Sequence, residues 1–419
     1  MLDIKVIRKN PQLIQKGNNA KGFKVDVDKI LRLDDEIRPL QQDWENSQAL
    51  RNKLSREIAQ ASPAEREKLK REVLSIKEKM EDLESQLKEK KAILQERLLE
   101  IAQPPREDVP QGKDDKDNVE IRKWGTPRAF DFEPLEHVSL GEKRDILDIE
   151  RGVRLSGSRS YVLKGAGALL ERAILNLTYD LVVKKGFTPM SVPVLVKEEA
   201  MVGTGYFPTG REQAYFIEKD KLALVGTAEV SLCSFHSGEV LREEDLPLKL
   251  MAQTSCFRRE AGTYGRDTHG LYRVHQFQKI EMVVISPADH AINDQCHEEL
   301  LSISEEVLQL LELPYRVVYV CTGDLGQGQV YKHDIETWMP SRKAYGETHS
   351  CSSFYEFQSR RLNMRYKTKD GKNAFTYTLN NTALATPRVI LALLENFQEK
   401  DGTIKLPAAL HPYMGRDTI

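Results

Sequence analysis

The stretch TSCFRREAGTYGRDTHG, residues 254–270, begins like a buried strand and then sets three consecutive charges beside a phenylalanine. A second strand-like run, VHQFQKIEMVVI, follows at residues 274–285. Side chains alternate between the faces of a strand, so Arg258 and Glu260 are expected on one face and Arg259 on the other. By the same count His275, Phe277, Lys279 and Glu281 share a face of the returning strand. Two antiparallel strands would then present an arginine, a phenylalanine and two glutamates on one surface. An arginine fork suits phosphate or carboxylate, an aromatic ring can stack on a base, and a carboxylate can accept an amino group. The plainer alternative is a ladder of exposed ion pairs on a hairpin, common and individually weak.

Two further segments favour a ligand site. TLNNTALATPRVILALLENF, residues 378–397, passes from a strand into an apolar helix with Arg388 near its start. A cation there opposes the helix dipole, so an anionic ligand or partner is its natural explanation. GETHSCSSFYEFQSRRLNMRY, residues 346–366, sets Glu347, His349 and Ser350 ahead of another strand-like run. Glu347 there is either an ordinary loop carboxylate or a ligand for a nucleotide-bound magnesium. No G-x-x-x-x-G-K-[ST] or G-x-G-x-x-G loop occurs, so a nucleotide has to be held by other means.

Upstream, the texture is different. From about residue 28, apolar residues recur at spacings of three and four: Ile30, Leu33, Ile37, Leu40, Trp44, then Leu54 and Ile58. That is a heptad seam, interrupted at Ser47 and Arg51. A second seam runs from Leu69 to Ile101, interrupted at Lys90 and Arg97. Between them, ASPAERE (61–67) offers Ser62 as a cap, Pro63 at the first helical position and Glu65 to complete a capping box. One long antiparallel helical hairpin is expected, with a kink or a cost of about 3 kcal/mol at Pro39. As a bare pattern it could equally serve as a dimerisation or spacer coiled coil. Its charges nearly balance, so it would touch a nucleic acid through a few lysines and arginines. Prolines, a glycine and a charge run in AQPPREDVPQGKDDKDN (102–118) mark a linker. Beyond it, runs such as VPVLV, KLALVG, YRVVYV and AFTYTLN interleave with helical stretches, which predicts an α+β domain on a mostly antiparallel sheet.

A chain of 419 residues exceeds one compact core, and its formal net charge of -2 gives no global pull toward polyanions. The amino-terminal MLDIKVIRKN lacks a signal-peptide core, and no run of about 18 apolar residues occurs. A soluble, cytoplasmic protein without a membrane partner is expected. The five cysteines are scattered with no C-x-x-C spacing, so neither a disulfide framework nor zinc is expected. Cys233 and His236 form a lone C-x-x-H, read as a core cysteine and a surface histidine rather than a ligand pair.

At these residues the sequence resembles a class II aminoacyl-tRNA synthetase, and within that class the bacterial-type seryl-tRNA synthetases, over essentially the whole chain. Arg258 and Glu260 match the Arg-x-Glu of the second class II motif, and Arg388 the helix-borne arginine of the third. The helix from about Leu169 to Lys185, followed by FTPMSVPVLV with Pro193, resembles the first motif and its dimer-interface role. More specific to the seryl family are GTAEV (226–230), GRDTHGLYRVHQFQKIEMV (265–283), SCSSFYEFQSRR (350–361) and HPYMG (411–415). The resemblance implies a tRNA-binding coiled-coil arm, residues 1–110, and a class II catalytic domain, residues 111–419. It also implies a homodimer, L-serine and ATP with Mg2+ as ligands, and charging of serine tRNA and, where the host has it, selenocysteine tRNA.

The implied site follows residue by residue. Arg258 would bridge the α-phosphate and the serine carboxylate, and Arg388 would hold the γ-phosphate, these two carrying the catalytic charge. Arg259, Glu260, Val274, Phe277, Glu347, Thr348, His349 and Ser350 would complete the ATP site, with Phe277 stacking on adenine and Glu347 and Ser350 contacting the metal. Thr227, Ala228, Glu229, Glu281 and Thr382 would join Arg258 around serine. The loop AGTYGRDTHG (261–270) would close over the nucleotide. Three places depart from the family's commonest pattern. LNNTALATPR (379–388) puts Thr382 where a serine is usual and Pro387 where a glycine is usual. ETHS (347–350) brings in His349, and TAEVSLCSFH (227–236) has Ser231 for a proline. Two competing readings are a homologue that activates an amino acid for a non-tRNA acceptor and a non-catalytic coiled-coil adaptor.

Overall fold

The computed structural model describes residues 1–263 and 269–419. The expected closure of the loop at 261–270 falls largely on residues 264–268, which lie outside the described residues. The chain divides into two compact units, Met1–Pro104 and Pro105–Ile419.

In the first unit, short helices Ile4–Lys9 and Pro11–Ala20 precede two long ones, α1 (Val27–Gln60) and α2 (Pro63–Glu100). The Asp26 carboxylate caps α1 by accepting the Lys29 backbone N–H at 2.9 Å, which satisfies one of the otherwise orphaned donors of the first turn. Ser62 donates its backbone N–H (3.1 Å) and its hydroxyl (2.6 Å) to Glu65, and the capping box expected from ASPAERE is present. Those bonds hold the Glu65 carboxyl below its ordinary pKa. Pro39 does not end α1, which runs through it; the lost hydrogen bond falls on an exposed turn.

Ile30, Ile37 and Leu54 of α1 and Met80, Leu83, Leu87 and Leu98 of α2 are buried along the hairpin's seam. Lys90 pairs with Glu36 across the helices at 2.7 Å, and Lys91 donates to Gln41 at 2.7 Å. Heptad counting did not anticipate Asp34, buried on α1. It is tolerated because Arg8 donates two hydrogen bonds to it, at 2.6 and 2.7 Å. Ile7, Ile14, Val27, Ile30, Leu98 and Ile101 close a small core at the hairpin's base.

The second unit is built on an eight-stranded sheet: β1 (Val119–Trp124), β2 (Thr188–Met190), β3 (Leu248–Phe257), β4 (Gln276–Ser286), β5 (Tyr315–Tyr319), β6 (Tyr331–Met339), β7 (Ala344–Tyr355) and β8 (Tyr377–Ala385). Their spatial order is β1-β5-β6-β7-β8-β4-β3-β2. Every neighbouring pair is antiparallel except β2 with β3. The helices that bear on the site are α3 (Ala166–Lys184), α4 (Glu198–Thr204), α5 (Glu229–Ser234), α6 (His290–Leu310), α7 (Phe357–Leu362) and α8 (Thr386–Asn396). Ile280, Met282 and Val284 of β4 join Leu170 and Ile174 of α3, Leu300 and Val307 of α6, and Ile390 of α8 in one hydrophobic core. The fold is thus α+β, with helices on the face of β4 that carries its even-numbered residues. Among the described residues, no helix is long and apolar enough to cross a membrane.

Candidate active site

The odd-numbered side of β4 does different work. Phe277, Lys279 and Glu281 line a cavity with Asn380 and Thr382 of β8 and with Ser350 and Ser352 of β7. The strand period of two accounts for these positions. Bulges break it, and two of them fall among the residues named here. Glu281 pairs with Thr382 while Ile280 pairs with Leu384, which leaves Ala383 as an extra residue on β8. Ile335 of β6 pairs with His349 and Glu336 with Glu347, so Thr348 is extra on β7. Because of that second bulge, adjacent residues Glu347 and Thr348 both line the cavity.

Expectation and structure diverge at several residues. Glu347 lies within β7, not in a loop before it. His349 takes the helix-facing side of the strand, 1% exposed, with Nδ1 2.9 Å from the Thr348 hydroxyl, and is not on the cavity wall. Burial pushes its pKa down to about 4, so at neutral pH it is an uncharged core residue. β3 ends at Phe257, and alternation therefore does not govern Arg258, Arg259 and Glu260. Arg259 turns away, its backbone N–H bound to the Gln213 carbonyl at 2.9 Å and its side chain lining a separate hollow beside Pro208 and Arg211. Glu260 reaches the cavity through a left-handed backbone, φ 52°, rather than by strand parity, and Arg273 donates to its carboxylate at 3.2 Å. Thr227 and Ala228 are buried behind the wall. The Thr227 hydroxyl accepts the Glu229 backbone N–H at 3.3 Å.

Most of the expected residues, Glu347 and Glu260 included, do converge. Arg258, Glu260, Val274, Phe277, Glu347, Thr348, Ser350, Arg388, Glu229, Glu281 and Thr382 line the one cavity. Arg258 is held by its Nε donating to the Gly226 carbonyl at 3.3 Å, with the guanidinium carbon 5.3 Å from the Phe277 ring centre. Arg388, in the first turn of α8, donates from Nη1 to the Glu347 carbonyl (2.6 Å) and carboxylate (3.3 Å), and from Nε to the Tyr272 carbonyl (3.0 Å). A cation at a helix N-terminus is thereby reconciled with the dipole through a carboxylate partner. Burial works against the charge on Arg388, but Glu347, Tyr272 and Glu260 together hold the guanidinium above its ordinary pKa. Burial likewise works against the Glu347 carboxylate, and Arg388, Lys332 and Arg258 together hold it below its ordinary value.

Deeper in the cavity the charge is acidic. Glu229 accepts a hydrogen bond from the Tyr206 hydroxyl at 2.7 Å and another from the Gln358 amide at 2.7 Å. Burial, with the charge of Glu281 added, pushes its pKa up to about 7. Lys279 pairs with Glu281 and donates to the Thr382 hydroxyl at 3.3 Å. Tyr206 is presented by the turn that ends α4, where Gly205 has φ 91° and a Cβ would come within 2.8 Å of Phe357. Sequence reasoning assigned no role to Tyr206, Lys279, Asn380 or Gln358. Alternation along β4 and β8 carried the signal for Lys279 and Asn380; nothing local signals the other two.

Glu347 and Ser350 offer oxygen ligands only, one of them a carboxylate kept ionised, which is a donor set that fits a hard cation such as Mg2+. Among the described residues, no group of three or more His, Cys, Asp or Glu could hold a metal by itself. All five cysteines are buried and free; Cys233 faces Gln358, and His236 faces Glu239 at 2.8 Å. Ser231 donates to the Pro193 carbonyl at 2.6 Å, which gives its hydroxyl a local structural use.

A mostly antiparallel sheet with one arginine at a strand exit, a second on the helix after the last strand and a cavity between them defines a class II aminoacyl-tRNA synthetase core. The family model for the tRNA synthetase class II core domain (G, H, P, S and T) matches residues 215–397, and that for the seryl-tRNA synthetase N-terminal domain matches residues 1–105. The serine--tRNA ligase of Deinococcus radiodurans is 45% identical over 99% of this chain and 98% of its own. Seryl-tRNA synthetase from Pyrococcus horikoshii, solved in complex with ATP, superposes with a TM-score of 0.93 at 36% identity, covering 100% of this chain and 99% of that one. The cytoplasmic serine-tRNA ligase of Naegleria fowleri, in complex with AMP, gives 0.88 at 30% identity, covering 100% and 98%. This chain belongs to the seryl-tRNA synthetase family.

Proposed function

We propose that this protein activates L-serine with ATP and transfers the seryl group to serine tRNA. The supporting observation is that one cavity is lined by the arginines Arg258 and Arg388 together with the glutamates Glu229 and Glu281. The arginines suit a polyphosphate and a carboxylate, and the glutamates suit an ammonium and a hydroxyl. In the first step a serine carboxylate oxygen bonds to the α-phosphorus, the bond from that phosphorus to the bridging oxygen breaks, and pyrophosphate leaves. Arg258 neutralises charge at the joining oxygens, so its contribution is positioning and electrostatics rather than covalent catalysis. In the second step a hydroxyl of the terminal tRNA ribose attacks the seryl carbonyl carbon, loses its proton, and AMP departs.

Phe277, Val274 and Glu260 receive the adenine, Arg388 the γ-phosphate, and Thr348 the phosphate side of the cavity. Glu347 and Ser350 would hold Mg2+, which would supply charge neutralisation for the phosphates. Thr382 and Glu281 face the serine hydroxyl and ammonium. A site that hydrogen-bonds that hydroxyl leaves polar groups unpaired with alanine, a discrimination of about 10⁴ to 10⁵. Threonine has to be rejected by volume, and Thr382 narrows the pocket by one methyl relative to a serine there. The unit Met1–Pro104 serves as the tRNA-gripping arm, the rest as the catalytic domain, in a cytoplasmic homodimer that also accepts selenocysteine tRNA where the host makes it.

ATP–pyrophosphate exchange across the twenty amino acids tests the reading. Exchange is expected with serine alone, followed by seryl transfer to serine tRNA. Exchange with a different amino acid, or serine-dependent exchange without transfer, contradicts it.

A further inference from the structure

We infer that Gln358 is a positioning residue for amino-acid recognition, fixing the direction in which the Glu229 carboxylate faces the cavity. The inference rests on the proposed activation of serine there. Gln358 lies on α7, is fully buried and does not itself line the cavity. Its amide group is fully engaged. The NH2 donates to Glu229 Oε1 at 2.7 Å and to the Thr204 carbonyl at 3.1 Å, while Oε1 accepts the Thr378 hydroxyl at 2.6 Å and the Cys233 thiol at 3.6 Å. A flipped amide would set its oxygen against two acceptors, Glu229 and Thr204, so only one orientation is satisfied.

One amide therefore ties the end of α4, the start of α5 and β8 together at the point where Glu229 enters the wall. Tyr206 holds the other carboxylate oxygen, Oε2, at 2.7 Å. Each oxygen keeps lone-pair capacity for a donor on the cavity side, in a plane set by the two bonds behind it. These bonds also matter for charge. Burial and then Glu281 push the Glu229 pKa up to about 7, and the hydrogen bonds from Tyr206 and Gln358, with the charge of Lys279, oppose that rise. Losing Gln358 removes a donor that favours the ionised form, so less of Glu229 is a carboxylate at neutral pH.

The test is ATP–pyrophosphate exchange between pH 6 and pH 9 on Gln358→Met, which keeps the side chain's length and deletes both amide hydrogens. The expected result is a serine KM raised about tenfold at pH 7 with the ATP KM little changed, and an acid limb of kcat/KM for serine moved up by about one pH unit. A structural role alone would raise both KM values together and leave the acid limb in place. Thr378→Val removes only the hydroxyl that orients the amide; it is expected to shift the limb the same way by less, and it decides the matter should the methionine variant not fold. An unmoved acid limb in a folded variant overturns the inference while the serine activity of the unaltered protein stands. Absence of serine-dependent exchange in the unaltered protein overturns the proposed function, and this inference with it.

Discussion

The arm and the cavity present charge in opposite ways. Along the hairpin, pairs such as Lys53 with Glu57, Lys70 with Glu67 and Lys77 with Glu81 join residues one helical turn apart on exposed faces. In the cavity, Arg388 meets Glu347 across 41 residues, Lys279 meets Thr382 across 103 and Gln358 meets Glu229 across 129. The exposed local pairs are screened by water and salt, and each is worth little. Glu229, Gln358, Lys279 and Thr382 are buried, so deleting one leaves a partner desolvated and unsatisfied, whereas Arg388 and Glu347 keep 21% and 47% of their side-chain surface exposed. A surface that must grip a polyanion along its length can tolerate loss of any single charge. A surface that must place one phosphorus cannot.

The sharpest way to break this contrast is at Arg258. Arg258→Ala is expected to lower serine-dependent pyrophosphate exchange by about 10³-fold or more, the scale for a charge that stabilises a reacting phosphate. A variant retaining a tenth of the activity would mean that the cavity is as tolerant as the arm.

Acidity probes the same contrast more gently. With the Glu229 pKa near 7, a carboxylate on the wall of the proposed serine pocket is protonated below that value and lost as an acceptor. Between pH 8 and pH 6 the serine KM should rise about tenfold, following the ionised fraction of a single group. The sign for stability is worked the same way. The folded chain keeps a proton on Glu229 between about 4.5 and about 7 that the unfolded chain has released, so this group's contribution to stability falls as pH rises through that window. A flat serine KM across the range would place the pocket's titration elsewhere.

The smallest effect is expected on the arm. Lys90→Ala removes the 2.7 Å contact with Glu36, in which both side chains remain partly solvated, and should cost about 0.2–1 kcal/mol of stability, less in high salt. A loss of several kcal/mol by thermal or denaturant unfolding would mean that this pair behaves like those in the cavity.

What could be read from the sequence follows the same division. The hairpin's seam was legible because its information is local: a spacing of three and four, and a capping box at Ser62 and Glu65. Asp34 was not, since its burial depends on Arg8, a partner on a separate helix. In the catalytic unit, alternation placed Phe277, Lys279 and Glu281 on one wall. It failed wherever the regular strand stopped. The bulge at Thr348 brings Glu347 and Thr348 to the same side and leaves His349 inside. Beyond the end of β3, a turn rather than parity separates Arg258 and Glu260 from Arg259. Tyr206 and Gln358 reach Glu229 from chain segments whose proximity no periodicity encodes.

The central claim is that the two units divide the labour, activation in one and tRNA grip in the other. Replacing the outer arm between Trp44 and Met80 with a short glycine–serine turn keeps the hairpin's base, including Ile30, Leu98 and the Arg8–Asp34 pair. Pyrophosphate exchange and seryl transfer to serine tRNA should then be measured on the same preparation. The account predicts exchange within about twofold of the intact chain and transfer reduced by about 10²-fold or more, the scale for losing several phosphate contacts at once. Transfer at the intact rate, or exchange and transfer falling together, would contradict it.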